Sequence, residues 1–247
     1  MGIVERKERE KQMRREMILQ AAETVFFEKG LRAATLDEIA EKAEVSKGTI
    51  YLHFASREDL YYSLMTRGLL LLLKMFRDVK PEDADPAKVL YKLADAYLKF
   101  SQEQSYLFKM LAVVENPAVS EQVSPEVSSD LEEASDGILT YVAGFVQRGM
   151  DDGIFRSDIS SHEAVILFWV SLNGILNLKE RSLAMKKNNC LKAESIIGSV
   201  DFDVLYGMCQ HYLVDFLTQE ETRKLSGRNA ARKPKVVQKH SKAVTQK

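Results

Sequence analysis

The 247-residue sequence predicts an all-α protein in two parts: a small N-terminal three-helix module containing a helix-turn-helix, and a larger C-terminal helical body. Three observations predict this. Apolar residues recur every three or four positions, as in Ile18, Ala22, Val25 and Phe26 or Leu90, Leu93, Ala94, Tyr97 and Phe100, which is the spacing of one helix face. No stretch alternates apolar and polar residues as a half-buried strand would. The run Thr35–Phe54, TLDEIAEKAEVSKGTIYLHF, reads as two short capped helices around a tight turn.

The elements follow in order. Residues 1–11 form a charged arm, in which Arg6, Lys7, Arg9 and Lys11 alternate with Glu5, Glu8 and Glu10. It reads as a frayed extension of the first helix, either tracking a phosphate backbone or simply solvated. The first firm helix spans about Glu10 to Lys29 and stops at Gly30, a residue free to take positive φ. Thr35 is a good N-cap and Glu38 completes a capping box, so the next helix runs from Leu36 to about Ala43. Ser46 caps the following helix. Ala40, Val45 and Ile50 point inward, and that spacing suits a helix-turn-helix whose second helix enters the DNA major groove. The outward set suits DNA: Lys47 is a flexible cation, Thr49 and Tyr51 carry hydroxyls, His53 can donate a proton, and Gly48 lets the backbone approach a phosphate. Ser56 caps a further helix reaching about Val79, with Asp59 placed to reach back to the cap.

Ser46–Tyr61, SKGTIYLHFASREDLY, resembles the signature of the tetracycline-repressor (TetR) family of bacterial transcription regulators. The resemblance begins at Ile18-Leu19-Gln20-Ala21-Ala22 and Phe26-x-x-x-Gly30, ends near Leu64 and covers about the first quarter of the chain. Glu44 departs from it, standing where the family often has glycine; with positive φ there, a non-glycine residue costs on the order of 1 kcal/mol. The resemblance implies a sequence-specific regulator of a near-palindromic double-stranded operator. It implies a DNA-binding domain over residues 12–78 and a ligand-binding and dimerisation domain over residues 79–221. The implied DNA-contacting set is Thr35, Ser46, Lys47, Gly48, Thr49, Tyr51 and His53. Lys47 and Tyr51 would lie on phosphates, Thr49 near base edges, and His53 toward the backbone. The helix Ser56–Val79 would be the lever between ligand and DNA.

The body starts after a break at residues 79–86, with Pro81 and Pro86. A short apolar helix is expected over Tyr106–Glu115, a loop over Asn116–Ser129, and a long helix marked by Leu131, Ile138, Val142, Phe145 and Val146, ending near Gly149–Gly153. Glu163–Arg181 is apolar nearly all round in its middle, which means contact on every side. The last helix, Asp201 to about Glu220, carries two apolar stripes where a monomer's surface helix needs one. These two helices predict a homodimer, with Leu205, Met208, Tyr212, Leu213 and Phe216 as interface candidates. Tyr97, Phe100, Phe108, Met110, Phe145, Phe168 and Trp169 supply more aromatic and flexible apolar surface than a small core needs, and Asn173 offers a polar group among them. With the resemblance, they predict a small apolar or amphipathic effector that releases a repressor from DNA.

Charge is uneven. Residues 1–77 carry 14 basic and 12 acidic side chains, and residues 222–247 carry nine basic and no acidic ones, so the acidic excess lies between. A DNA-binding module beside an acidic body presents only one end to DNA. The basic C-terminal segment is expected to be disordered. The N-terminus has no apolar signal core, and the apolar runs Leu69–Leu73 and Ala164–Leu178 are shorter than a membrane span, so a cytoplasmic protein with no membrane contact is expected. Cys190 and Cys209 suggest no disulfide framework, and Cys190 is a candidate redox-sensing thiol. There is no phosphate-cradling glycine loop, H-E-x-x-H or C-x-x-C, and the four histidines lie in unlike segments, so no catalytic, cofactor or metal site is expected. Two alternatives stand beside the regulator reading: a ligand-independent DNA-binding dimer controlled by a protein partner, and an all-α enzyme.

Overall fold

The computed structural model describes residues 2–79, 85–112, 121–188, 190, 192 and 195–218. These contain helices and turns and no strand. The helices are α1 (Ile3–Ala33), α2 (Leu36–Lys42), α3 (Lys47–Tyr51), α4 (Arg57–Arg77), α5 (Pro86–Glu103), α6 (Ser105–Ala112), α7 (Pro125–Asp151), α8 (Ser161–Lys187) and α9 (Phe202–Thr218). Most of the predicted break at 79–86, much of the predicted loop over Asn116–Ser129 and the whole basic tail at 222–247 lie outside the described residues.

α1 starts earlier than its apolar pattern does. Glu5 accepts from the Gly2 N–H at 3.0 Å, and Arg6–Glu10 and Glu8–Gln12 pairs brace successive turns, so the charged arm continues the helix. Gly30, at φ 73°, breaks it. Ile18, Ala22 and Phe26 close over Ile39, Ile50 and Leu60, all fully buried, and hold the three-helix module together. The body packs α4 and α5 against α7, α8 and α9, with α6 beside α4 and α5.

α7 begins at Pro125, several residues before the first strong apolar position. Ser124 is its N-cap and Pro125 its first helical residue, a position where proline's missing N–H costs nothing. Proline there starts a helix, although the sequence alone reads it as part of a loop. At the other end Gly149 admits Phe155, whose ring atoms would lie 2.2 Å from any Cβ added at Gly149. No helix among the described residues is long and apolar enough to cross a membrane. Cys190 is exposed and Cys209 partly buried.

α9 settles onto α5 through polar groups. The Tyr206 hydroxyl donates to the Ala94 carbonyl at 2.7 Å, and the Gln210 amide donates to the Tyr91 carbonyl at 2.8 Å and to Asp95 at 3.1 Å. This rotates the inward stripe to Phe202, Tyr206, Gln210, Leu213 and Leu217.

Candidate DNA interface and ligand cavity

The helix-turn-helix is built from local rules. The Thr35 hydroxyl accepts from the Glu38 N–H at 3.3 Å while Glu38 returns to the Thr35 N–H at 3.0 Å. Ser46 accepts from the Thr49 N–H at 3.1 Å, and its hydroxyl shares a 2.9 Å bond with that of Thr49. Glu44 takes φ 53° in the turn, so the strained position expected there is present. Ile50 and Phe54 are buried beneath.

The outer surface carries every residue of the predicted DNA-contacting set. Thr35, Ser46, Lys47, Gly48 and Tyr51 are exposed, and Thr49 and His53 are half-buried. Thr35 and Ser46 use their hydroxyl oxygens as caps. Gly48 lies two residues before Ile50, roughly 200° round the helix, and so faces directly outward. A side chain there would meet nothing closer than Ser46 Oγ at 3.7 Å, so the fold itself leaves that space open. Lys47 pairs with Asp37 at 2.9 Å, a bond that raises the lysine's pKa. The pair is exposed and therefore easily exchanged for a phosphate.

His53 is held below its ordinary pKa of 6.5, first by burial and then by Lys11, Arg14 and Arg15 of α1. Its Nδ1 is buried without a hydrogen-bond partner among the described residues. The guanidinium of Arg15 lies 4.9 Å from the Phe54 ring centroid, which places the cationic side of α1 beside the recognition segment. Both effects favour the neutral form of His53 in the free protein. A phosphate brought beside it raises its pKa, so binding takes up a proton and tightens as pH falls through the window below the raised value. Operator affinity compared at pH 6 and pH 8 should show this gain, and His53→Gln should remove it.

A cavity of about 480 Å³ lies between α4, α5, α6, α7 and α8. Its wall includes Met65, Leu72 and Phe76 of α4, Leu90, Leu93 and Tyr97 of α5, Leu131, Ser135 and Ile138 of α7, and Val165, Phe168, Trp169 and Asn173 of α8. Among the described residues no acid, lysine, arginine or histidine lines it. The Tyr97 hydroxyl donates to Asn173 Oδ1 at 2.9 Å, and burial pushes the Tyr97 pKa upward. No hydrogen bond from the Asn173 Nδ2 group is formed among the described residues. Of the predicted ligand set, Tyr97, Phe168, Trp169 and Asn173 come together on the wall. Phe100, Phe108 and Met110 pack in the core outside it, with Phe108 6.0 Å from Tyr97 between ring centroids. Phe145 stacks edgewise on Tyr141 instead. The aliphatic wall from α4 and α7 carries no aromatic or polar signature, apart from Phe76 and Ser135, that could have marked it in the sequence. A wider, open groove at the end of α4, lined by Arg77, Glu132, Glu133 and Asp136, is polar and shallow.

α8 and α9 expose a continuous apolar face. Ile166, Leu167, Val170 and Leu178 project from α8, and Val204, Met208 and Tyr212 from α9, with Met208 64% and Tyr212 72% exposed. A Cβ added at Gly174 or Gly207 on this face would meet nothing within 4 Å. Among the predicted interface residues, Met208 and Tyr212 are on this face and Leu205 is half-buried. Leu213 is corrected: at 3% exposure it is covered by its own subunit, because Tyr206 and Gln210 turn that side of α9 onto α5. Phe216 is half-buried under the Arg156 guanidinium, 4.4 Å from its ring centroid.

Residues 18–64 match the family described as "Bacterial regulatory proteins, tetR family". The transcriptional activator FasR of Mycolicibacterium smegmatis is 31% identical over 131 residues, 53% of this chain and 59% of that protein, so the alignment spans little more than half the relative's length. The transcriptional repressor KstR2 of Rhodococcus jostii is 30% identical over 146 residues, 59% of this chain and 70% of that protein. Among solved structures, the regulator FadR from Bacillus subtilis in complex with stearoyl-CoA aligns with a TM-score of 0.61 at 20% identity, over 82% of this chain and 98% of that one. At that identity the likeness is one of fold.

Proposed function

This chain belongs to the TetR family of bacterial transcription regulators, and on that premise we propose that it is a homodimeric repressor released from its operator by an uncharged, largely apolar effector. Residues 12–78 bind DNA, and residues 79–221 bind the effector and dimerise. The single observation that carries the ligand part is the uncharged cavity of about 480 Å³ crossed by the same helix, α4, that starts beside the recognition helix. α4 has 21 residues, so it spans about 31 Å and joins the two sites as one rigid body. The named relatives include both a repressor and an activator, and FadR of Bacillus subtilis holds a long-chain acyl thioester within the same fold. The exposed apolar face of α8 and α9, with its two glycines, supports a two-fold dimer in which these helices meet their copies. Two recognition helices then reach half-sites about one DNA turn apart.

The effector's chemistry follows from the wall. Among the described residues of the wall a carboxylate finds no cation to pair with and would be desolvated, whereas a carbonyl needs only the Asn173 amide. Methyl palmitate should therefore bind at least about tenfold more tightly than palmitate, measured by calorimetry at pH 7.5, a preference set by the cost of burying an unpaired charge. Equal affinity for acid and ester would contradict this assignment. The DNA part is tested by selection from a random duplex pool, which should enrich near-palindromic sites; an unenriched pool contradicts it.

A further inference from the structure

Effector control requires that a change around the cavity reach the recognition helix. The wall formed by α7 has its own connection to the DNA module, separate from the length of α4. The Asp59 carboxylate accepts from two backbone N–H groups: Ser124 at 2.8 Å on Oδ1 and Ala55 at 3.2 Å on Oδ2. Ala55 follows Phe54, which closes the recognition segment. Ser124 is the N-cap of α7. Beside this carboxylate, Ser56 accepts from the Asp59 N–H at 2.9 Å and donates its own hydroxyl proton to the Gln122 carbonyl at 3.3 Å. Asp59 is 1% exposed, so the bonds are shielded from competing water.

A carboxylate at the start of a helix is also favoured by the exposed N–H groups there, which fixes the first turn of α7 to it. Leu131, on the cavity wall, lies seven residues along α7 from Ser124, about 10 Å at the helical rise. An α-helix moves over such a distance as a rigid rod. We propose that Asp59 is the positioning residue that couples the cavity to the DNA module. An effector that displaces α7 pulls Ser124, and through the carboxylate it pulls Ala55 and the end of the recognition segment. The inference rests on the reading that cavity occupancy controls DNA binding, and names the contact that transmits it.

The test needs no effector, because coupling is reciprocal: whatever the cavity does to DNA affinity, DNA does to the cavity. Trp169, the chain's single tryptophan, lines that cavity and reports on it. The full-length dimer is titrated with a labelled duplex taken from the random-pool selection. Duplex anisotropy gives binding and Trp169 emission gives the cavity response. In the wild type the emission changes with the same midpoint as the anisotropy. Asp59→Asn keeps the side-chain shape but turns one of the two acceptors into a donor. It should bind the duplex within about threefold of wild type and lose most of the emission change, since coupling and binding are separable free energies. Ser124→Pro guards against a folding defect from that change. It removes the donor N–H, together with a hydroxyl that makes no cap bond, at a backbone φ of −64° that proline adopts, and changes no residue of the DNA module; it should lose the emission change as well. A full emission change in both variants overturns the role of Asp59 and leaves the proposed function standing. A wild-type protein that binds the duplex with no emission change overturns both the coupling and the role of Asp59.

Discussion

Met208→Glu is expected to turn the dimer into a folded monomer and to weaken operator binding by roughly two to four orders of magnitude, the usual gain from joining two binding modules. The residue is 64% exposed in the single subunit, so its replacement removes little from the subunit's own core. In a two-fold interface every substitution occurs twice, so two unpaired charges are buried. The melting temperature of the monomer should stay close to that of a dilute wild-type sample. Light scattering together with operator titration gives both readings. The contrast lies at Leu213, five residues further along α9. There a charge enters the subunit's core beside Tyr206 and Val214, and the expected outcome is loss of folded protein. A Met208→Glu protein that remains dimeric at micromolar concentration would remove the interface from this face.

Gly48→Leu should separate stability from function. Glycine inside a helix is less favourable than leucine by somewhat under 1 kcal/mol, and space is open at this position, so the variant should melt no lower than wild type. If α3 enters the groove with the face opposite Ile50 leading, the same side chain occupies the place of closest approach to DNA. A loss of about 2 kcal/mol per half-site, the size of one good contact, gives roughly a thousandfold over a two-half-site operator. A Gly48→Leu protein of normal affinity would mean that α3 presents another face to DNA. Asp37→Asn works in the opposite direction. It frees Lys47 from its exposed pair and removes a negative charge from the DNA side, so affinity for all duplexes should rise several-fold at low salt, with a steeper salt dependence.

Much of the DNA module was legible in the sequence because its determinants are local. Thr35 with Glu38, Ser46 with Thr49 and Ser56 with Asp59 each cap a helix from within four residues, and Ile50 is buried by its own periodicity. The cavity was half legible. Tyr97, Phe168, Trp169 and Asn173 stood out as aromatic or polar residues, but most of its wall is aliphatic side chain, indistinguishable in sequence from ordinary core. Phe100 and Phe108 have the same composition signal and sit in packed core. α9 shows a different limit. Apolar periodicity predicts a stripe through Leu205 and Phe216, yet Tyr206 and Gln210 are buried because α5 carbonyls satisfy their polar atoms. Long-range hydrogen bonds of that kind have no local sequence signature. The Asp59–Ser124 contact is another, joining residues 65 apart.

An uncharged ligand in the cavity is expected to lower operator affinity. This is tested most directly by titrating the selected operator duplex with the full-length dimer in the absence and presence of saturating methyl palmitate or any neutral ligand that raises the melting temperature. The expected result is at least about a fivefold loss of operator affinity, the lower end of ordinary coupling free energies. A ligand that stabilises the protein through the cavity and leaves operator affinity unchanged would contradict it.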